Sequence, residues 1–245
     1  MDGLPRKANS TMHRLAIFVE GYTELIFIEK LLEEIAGGKN IIIEKRVIRG
    51  GSAVPRTLRL ISAIKEDTGQ KFYIQIFDCG GDEQVKTRIL EEHEGLTNKG
   101  YIKLIGIRDV RPQFTQNDIP RLEKGLRYQI KTKFAPVSFI LSVLEIEAWF
   151  LSEHTHFPKI DPSITASSIK AQLGFDPVND DMSQRLSPST DIHDCYQIGG
   201  KSYKKRKTTR TVKNLDYAHV YLGLRPKIPY LDRLLTDIDD FLDLP

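Results

Sequence analysis

The stretch Leu15-Ala16-Ile17-Phe18-Val19-Glu20-Gly21-Tyr22-Thr23-Glu24 decides the fold. Its apolar run continues without a break up to Glu20. A strand buried on both faces has this continuous pattern, whereas a half-buried strand alternates. Gly21 turns the chain. From about Thr23 to Ile35, the residues Leu25, Ile28, Leu31, Leu32 and Ile35 recur at helical spacing until Gly37-Gly38 stops them. The stretch is read as a buried strand that delivers a carboxylate at its C-terminal end and passes at once into a helix. In open α/β sheets, sites form beyond the carboxyl ends of the strands.

The same alternation continues downstream. Ile41 to Ile48 is β-branched and is expected as a second strand, followed by a turn at Gly50-Gly51-Ser52. Pro55 is expected to open a helix with the apolar stripe Leu58, Leu60, Ile61 and Ile64. Phe72 to Phe77 is a third strand ending at Asp78-Cys79-Gly80-Gly81-Asp82, and a helix carrying Val85, Ile89 and Leu90 follows. Tyr101 to Ile107 is a fourth, ending at Arg108-Asp109. Past the Pro112 loop, a helix from about Asn117-Asp118 carries Leu122 and Leu126. Pro136 to Val143 is a fifth strand and runs into a helix at Glu145-Ile146-Glu147-Ala148-Trp149-Phe150-Leu151.

Strands alternating with helices predict an α/β fold, a mostly parallel sheet flanked by helices, over residues 14–152. Residues 153–245 are expected as a mostly helical C-terminal elaboration. It contains a short helix at Ser167 to Leu173 and a basic stretch from Lys201 to Lys213. It ends in a docking helix marked by Ile228, Tyr230, Leu231, Leu234, Leu235, Ile238, Phe241 and Leu242.

Composition excludes several classes. With 245 residues, 40% hydrophobic and 28% charged, the chain supports a sizeable core. No apolar run approaches the roughly 20 residues of a membrane span, and the N-terminus lacks a signal-type core, so no membrane partner is expected. The two cysteines, Cys79 and Cys195, form no CxxC or Cys/His cluster. That argues against structural zinc and for a reduced, cytoplasmic setting. Neither a GxxxxGK[ST] loop nor a dinucleotide glycine fingerprint is present, which argues against an autonomous ATPase or NAD enzyme. A net charge of +3 permits a nucleic-acid partner without requiring one.

Three expected strands end in an acid: Glu20, Asp78 and Asp109. In a parallel sheet all such ends lie on one edge, so these carboxylates can converge although they are far apart in sequence. Packed acids repel, and a divalent cation relieves that repulsion. All-oxygen ligation suits Mg²⁺ or Mn²⁺ rather than zinc. Asp82 is a further metal candidate, or simply a helix N-cap. Glu147 is a moderate site candidate and Glu145 a weaker one: on a helix the two point apart, on an extended strand they share a face. Trp149 is weighted toward the core. His154 and His156 are read mainly as solvated loop residues. Lys201, Lys204, Lys205, Arg206, Lys207 and Arg210 are expected to bind nucleic-acid phosphates, and a lysine there can also stabilise transition-state charge.

Val19-Glu20-Gly21-x-Thr23-Glu24 resembles the first motif of Toprim domains, the metal-binding fold of topoisomerases, primases and the overcoming-lysogenization-defect (OLD) nucleases. Ile107-Arg108-Asp109 and Glu145-Ile146-Glu147-Ala148-Trp149 are similar to stretches of a stand-alone bacterial Toprim-like group of unknown function. Tyr203-Lys204-Lys205 is similar to a basic segment of the same group. The resemblance implies a Toprim-like, Rossmann-like sheet and a metal-dependent nuclease acting on DNA or RNA with Mg²⁺ or Mn²⁺. It makes Glu20 the metal-linked or general acid/base glutamate and Asp109 a metal ligand, with Glu24 supporting the site; together with the strand-end and basic-stretch readings, Glu20, Glu24, Asp109 and Lys204 are expected in catalysis and Glu20, Asp78, Asp82, Asp109 and Glu147 at the metal. It further implies an anti-phage defence effector working beside an ATPase partner, and a homodimer is also expected. One departure counts against activity: Arg111 stands where the group's second acid would be. The alternatives are a catalytically silent regulatory or nucleic-acid-binding subunit, and a phosphoryl-transfer enzyme acting on nucleotides.

Overall fold

The structure is a computed structural model that describes residues 12–51, 54–62, 71–111, 113–205 and 208–245. β1 (His13–Val19) leads into α1 (Tyr22–Ala36), then β2 (Ile41–Arg49), β3 (Thr57–Ser62), β4 (Phe72–Asp78) and α2 (Asp82–Asn98). β5 (Tyr101–Asp109), α3 (Ile119–Arg127) and β6 (Val137–Ser142) complete a six-stranded sheet in the order β3-β2-β4-β1-β5-β6. Five strands run parallel and β3 is antiparallel at one edge. The architecture is α/β, a mostly parallel sheet flanked by helices.

The apolar run of β1 becomes the centre of the sheet. Leu15 to Val19 are fully buried, because β1 lies between β4 and β5 and both of its faces are covered. Leu15, Ile17 and Val19 pack with α1 and the C-terminal helices, whereas Ala16 and Phe18 pack with residues of α2 and α3. The chain leaves β1 toward β2 over one face and leaves β5 toward β6 over the other. Adjacent strands whose connections part in this way open a crevice at their carboxyl ends, and Glu20 and Asp109 stand at that crevice.

One expected element is corrected. Leu58, Leu60 and Ile61 belong to the edge strand β3 and not to a helix, and Ile64 lies outside the described residues. Gly50 and Gly51, at φ +78° and +140°, reverse the chain so that Thr57–Ser62 pairs with β2. At Gly50 a Cβ would come within 2.2 Å of the Pro55 carbonyl oxygen, so this reversal requires glycine. The three apolar side chains are exposed. Their spacing therefore marks no buried helical face.

The remaining helices are α4 (Glu147–Ser152), α5 (Phe157–Ile160), α6 (Ala166–Leu173), α7 (Pro188–Ile198), α8 (Thr209–Asn214) and α9 (Pro229–Leu242). They cover the α1 face and share one continuous apolar core with it. Phe27 of α1 meets Trp149, Phe150 and Tyr217 at ring distances of 6.2, 5.2 and 6.2 Å. Trp149 is a core residue. Phe241 of α9 stacks edge-on against Phe72 of β4 at 5.3 Å, which seats α9 on the sheet. Among the described residues, no helix is long and apolar enough to cross a membrane.

Candidate active site at the carboxyl edge of the sheet

Glu20 follows β1 directly. Its Oε1 accepts a hydrogen bond from the Asp109 backbone N–H at the end of the neighbouring β5. Asp109 is paired with Ser142 across β5 and β6. Its Oδ1 accepts from the Ser142 hydroxyl and, at 3.1 Å, from the Ile146 N–H. Glu24 lies in the first turn of α1, where its Oε2 accepts from the Gly21 N–H at 3.1 Å. Gly21 itself is extended (φ −162°), a conformation any residue adopts. The turn after Glu20 thus rests on the Glu24 bond and not on glycine's freedom.

A fourth acid arrives from the far side. After β6, Leu144 takes a left-handed conformation (φ +75°), uncommon for a residue with a side chain. It turns the chain so that Glu145, ahead of the helix, and Glu147, in the first turn of α4, meet one ammonium. Neither of the two geometries weighed from sequence, helix or strand through both, is what occurs. Lys205 Nζ lies 2.8 Å from Glu145 Oε1 and 3.8 Å from Glu147 Oε2. Glu147 Oε1 accepts from the Tyr203 hydroxyl at 2.7 Å. The Thr23 hydroxyl donates to the Lys205 carbonyl at 3.0 Å, which ties the basic segment to the start of α1.

Four carboxylates therefore share one mostly buried pocket of charge. Burial, then the nearby charge of Glu24, pushes Glu20 up to about 8, against the opposing Asp109 N–H bond. Burial pushes Glu24 up to about 7, with Glu147 adding to it. Asp109 is raised well above the ordinary range by burial, then by Glu20 and Glu24. Glu147 is raised by burial despite Lys205 and Tyr203. Lys205 loses solvation, which lowers its pKa, yet Glu147 and Glu145 hold it above the ordinary lysine value.

These raised acids set the pH dependence of the metal-free chain. The folded state keeps protons on Glu20 and Glu24 up to about pH 8 and 7, whereas unfolded glutamates release theirs near ~4.3. Their contribution to stability is complete below that value and is lost as pH rises through about 7 to 8. His154, lowered by burial, works in the opposite sense, its gain in stability being made as pH rises toward about 6.5, the ordinary histidine value, and largely complete above it. Thermal unfolding in EDTA from pH 6.5 to 8.5 isolates the acids. The melting temperature is expected to fall by about 5 °C or more, at roughly 2–4 °C per kcal/mol for a chain of this size. A flat or rising profile would show that the carboxylates do not share protons.

The other residues expected in the site are placed as follows. Asp78 ends β4 beside β1, but Arg49 Nη2 holds its Oδ2 at 2.8 Å and the Gly80 N–H its Oδ1 at 3.0 Å. It is thereby turned to the arginine at the end of β2. Asp82 flanks Glu20 and adds to its raised pKa. Its buried Oδ2 has no hydrogen bond and stands 3.6 Å from Arg108 Nη2. Lys204, expected in the centre, is exposed, and its neighbour Lys205 occupies that position. Tyr203 and Lys205 are placed on the acids by their contacts with Glu145 and Glu147, whereas Lys204 makes no such contact among the described residues. Lys201 pairs with Asp161 at 3.6 Å, Arg210 is exposed, and Arg206 and Lys207 lie outside the described residues. Arg111 directs its guanidinium to the Leu186 carbonyl, away from the acids. His156 is buried against Glu153, and His154 packs on the His219 ring at 5.3 Å. Both cysteines are buried and unpaired.

Three contributors escaped the sequence reading: Ser142, Thr23 and the Tyr203 hydroxyl. Ser142 is visible only through the β5–β6 register. Tyr203 had a signal in the Tyr203-Lys204-Lys205 resemblance.

Among the described residues, no three His, Cys, Asp or Glu side chains are arranged to hold a metal ion as they stand. The donor set is nonetheless all carboxylate. Glu147 Oε2 is buried without a hydrogen-bond partner, which fits a cation taken by oxygen. No family model, curated protein or solved structure matches the chain.

Proposed function

We propose that the chain is a metal-dependent phosphodiesterase acting on DNA or RNA, a Toprim-like nuclease. The observation that carries this reading is the convergence of Glu20, Glu24, Asp109 and Glu147 on one crevice with Lys205 beside them. Acids held together with raised proton affinity are arranged to take up a cation in place of protons. Glu20, Asp109 and Glu147 would hold Mg²⁺ or Mn²⁺, which when bound supplies Lewis acidity and an activated water. The chain's own groups do the rest. The Asp109 N–H and Ser142 hydroxyl fix the two strand-end acids, Glu24 exchanges a proton near neutrality, and Lys205 neutralises charge on the phosphate oxygens. The same resemblance supports a defence effector working beside an ATPase partner.

The second reading, a catalytically silent binding subunit, is favoured by Arg111 at the position of the second acid and by its turn toward Leu186. One assay separates the two: plasmid, linear DNA and total tRNA with Mg²⁺ or Mn²⁺, comparing the parent with Glu20→Ala. Metal-dependent cutting that falls about a thousandfold or more in the variant is the expected result, in line with the loss of a group that stabilises transition-state charge. Absence of cutting with every substrate, with the ATPase partner bound, leaves the silent subunit. Cutting that survives Glu20→Ala places the chemistry on other residues.

A further inference from the structure

An open depression of about 290 Å³ is bounded by Ser189, Thr190, His193, Tyr203, Lys204 and Lys205, of which Tyr203 and Lys205 also contact the acids. At roughly 30 Å³ per water this is ample for a phosphate group. Glu145 contacts two of these lining residues, and both of its oxygens are engaged. Lys205 Nζ holds Oε1 at 2.8 Å and the Ser189 N–H donates to Oε2 at 3.0 Å. Lys204 is exposed and has no hydrogen bond or ion pair among the described residues. The hydroxyls of Ser189 and Thr190 stand in the first turn of α7.

His193 is fixed in a particular way. Its Nδ1 lies 3.2 Å from the Tyr203 carbonyl oxygen. A carbonyl only accepts, so Nδ1 carries the hydrogen, and Nε2 is left to bind whatever enters. An imidazolium ring donates from Nε2 to a phosphate oxygen.

We infer that this cavity seats a phosphate of the polynucleotide adjoining the one that is cut, held by His193 Nε2, Lys204 and the α7 hydroxyls. The inference rests on the nuclease reading for what the phosphate belongs to, but not for whether phosphate binds. His193 and Lys204 are positioning residues: they hold the backbone while the acids act.

The test uses the full chain carrying Glu20→Ala, with inorganic phosphate as the probe and the histidine ring resonances read by NMR. The His193 signal, assigned by its loss in His193→Gln, is expected to shift saturably. Adding Lys204→Ala is expected to weaken that binding about tenfold, the size of one charged hydrogen bond. No saturable shift at His193 overturns the inference, and so does a shift that Lys204→Ala leaves unchanged. If the parent cuts nucleic acid, His193→Gln is expected to raise KM about tenfold with kcat held, and a loss confined to kcat overturns the positioning role. Phosphate binding at His193 in a parent that cuts nothing supports the cavity and sinks only the nuclease reading.

Discussion

Asp109→Asn is expected to lose activity and gain stability at the same time. The amide has the shape of the carboxylate, and its oxygen can keep the bonds from the Ser142 hydroxyl and the Ile146 N–H that Asp109 Oδ1 accepts. What disappears is a negative charge buried beside Glu20, Glu24 and Glu147. That charge is needed where a cation and a phosphate meet, and its loss is expected to lower metal-dependent cutting about a thousandfold, or ~4 kcal/mol of transition-state stabilisation. The same loss relieves repulsion in the metal-free fold. Unfolding by urea in EDTA at pH 8 is expected to show a gain of about 1 kcal/mol, typical of substitutions that trade function for stability. At pH 5.5 the gain should shrink, because Glu20 and Glu24 of the parent are then protonated. A variant that is less stable at both pH values would mean that the charge of Asp109, rather than its shape, holds β5 to the turn after β6. A variant that cuts like the parent would remove Asp109 from the chemistry.

The site was legible in the sequence where it depends on strand ends, and illegible where it depends on the order of strands. The apolar run ending at Glu20 and the acid after Ile107-Arg108 follow from local pattern. That β1 lies between β4 and β5 does not, since strand order is settled by how α1 and α2 cross the sheet. Asp78 shows the consequence. From sequence it is equivalent to Asp109, each a strand-end acid. In the fold Asp78 meets Arg49 from β2, whereas among the described residues the Asp109 carboxylate meets the Ser142 hydroxyl of β6 and the Ile146 N–H of the turn after it. One acid is neutralised and the other is left in the cluster, a difference written by neighbours about 30 residues away in each direction. The β3 segment failed for another reason. A short apolar set without strict alternation fits helix and strand alike, and the deciding signal was the glycine pair before it. In the basic segment the sequence pointed to Lys204, and the lysine that meets Glu145 and Glu147 is its neighbour Lys205, a choice between adjacent lysines that depends on tertiary contacts.

Lys205→Met tests that placement and carries the second large effect. The thioether side chain is flexible and of similar length, so the segment can stay anchored through Tyr203 and the Thr23 bond to its carbonyl. The ammonium between Glu145 and Glu147 is removed. Glu147 is fully buried, and it then has the Tyr203 hydroxyl but no cation. A buried charge left without its partner is strongly unfavourable, and protonation is its one remedy. The variant is therefore expected to be less stable than the parent at pH 8, with the gap narrowing at pH 5.5, because burial raises the proton affinity of Glu147 and protonation removes the unpaired charge. Cutting should fall about a hundredfold, as when one group that stabilises transition-state charge is deleted. Lys204→Met is the matched control. It alters an exposed lysine outside the acid cluster, and its stability should stay within about 0.5 kcal/mol of the parent. Equal stability of Lys205→Met and parent at every pH would show that Glu147 is held by something other than the ammonium. A large loss of kcat in Lys204→Met and none in Lys205→Met would reverse the assignment of the two lysines. The placement of Lys205 on the acids, with Lys204 left for the neighbouring phosphate, would then be wrong at its first step.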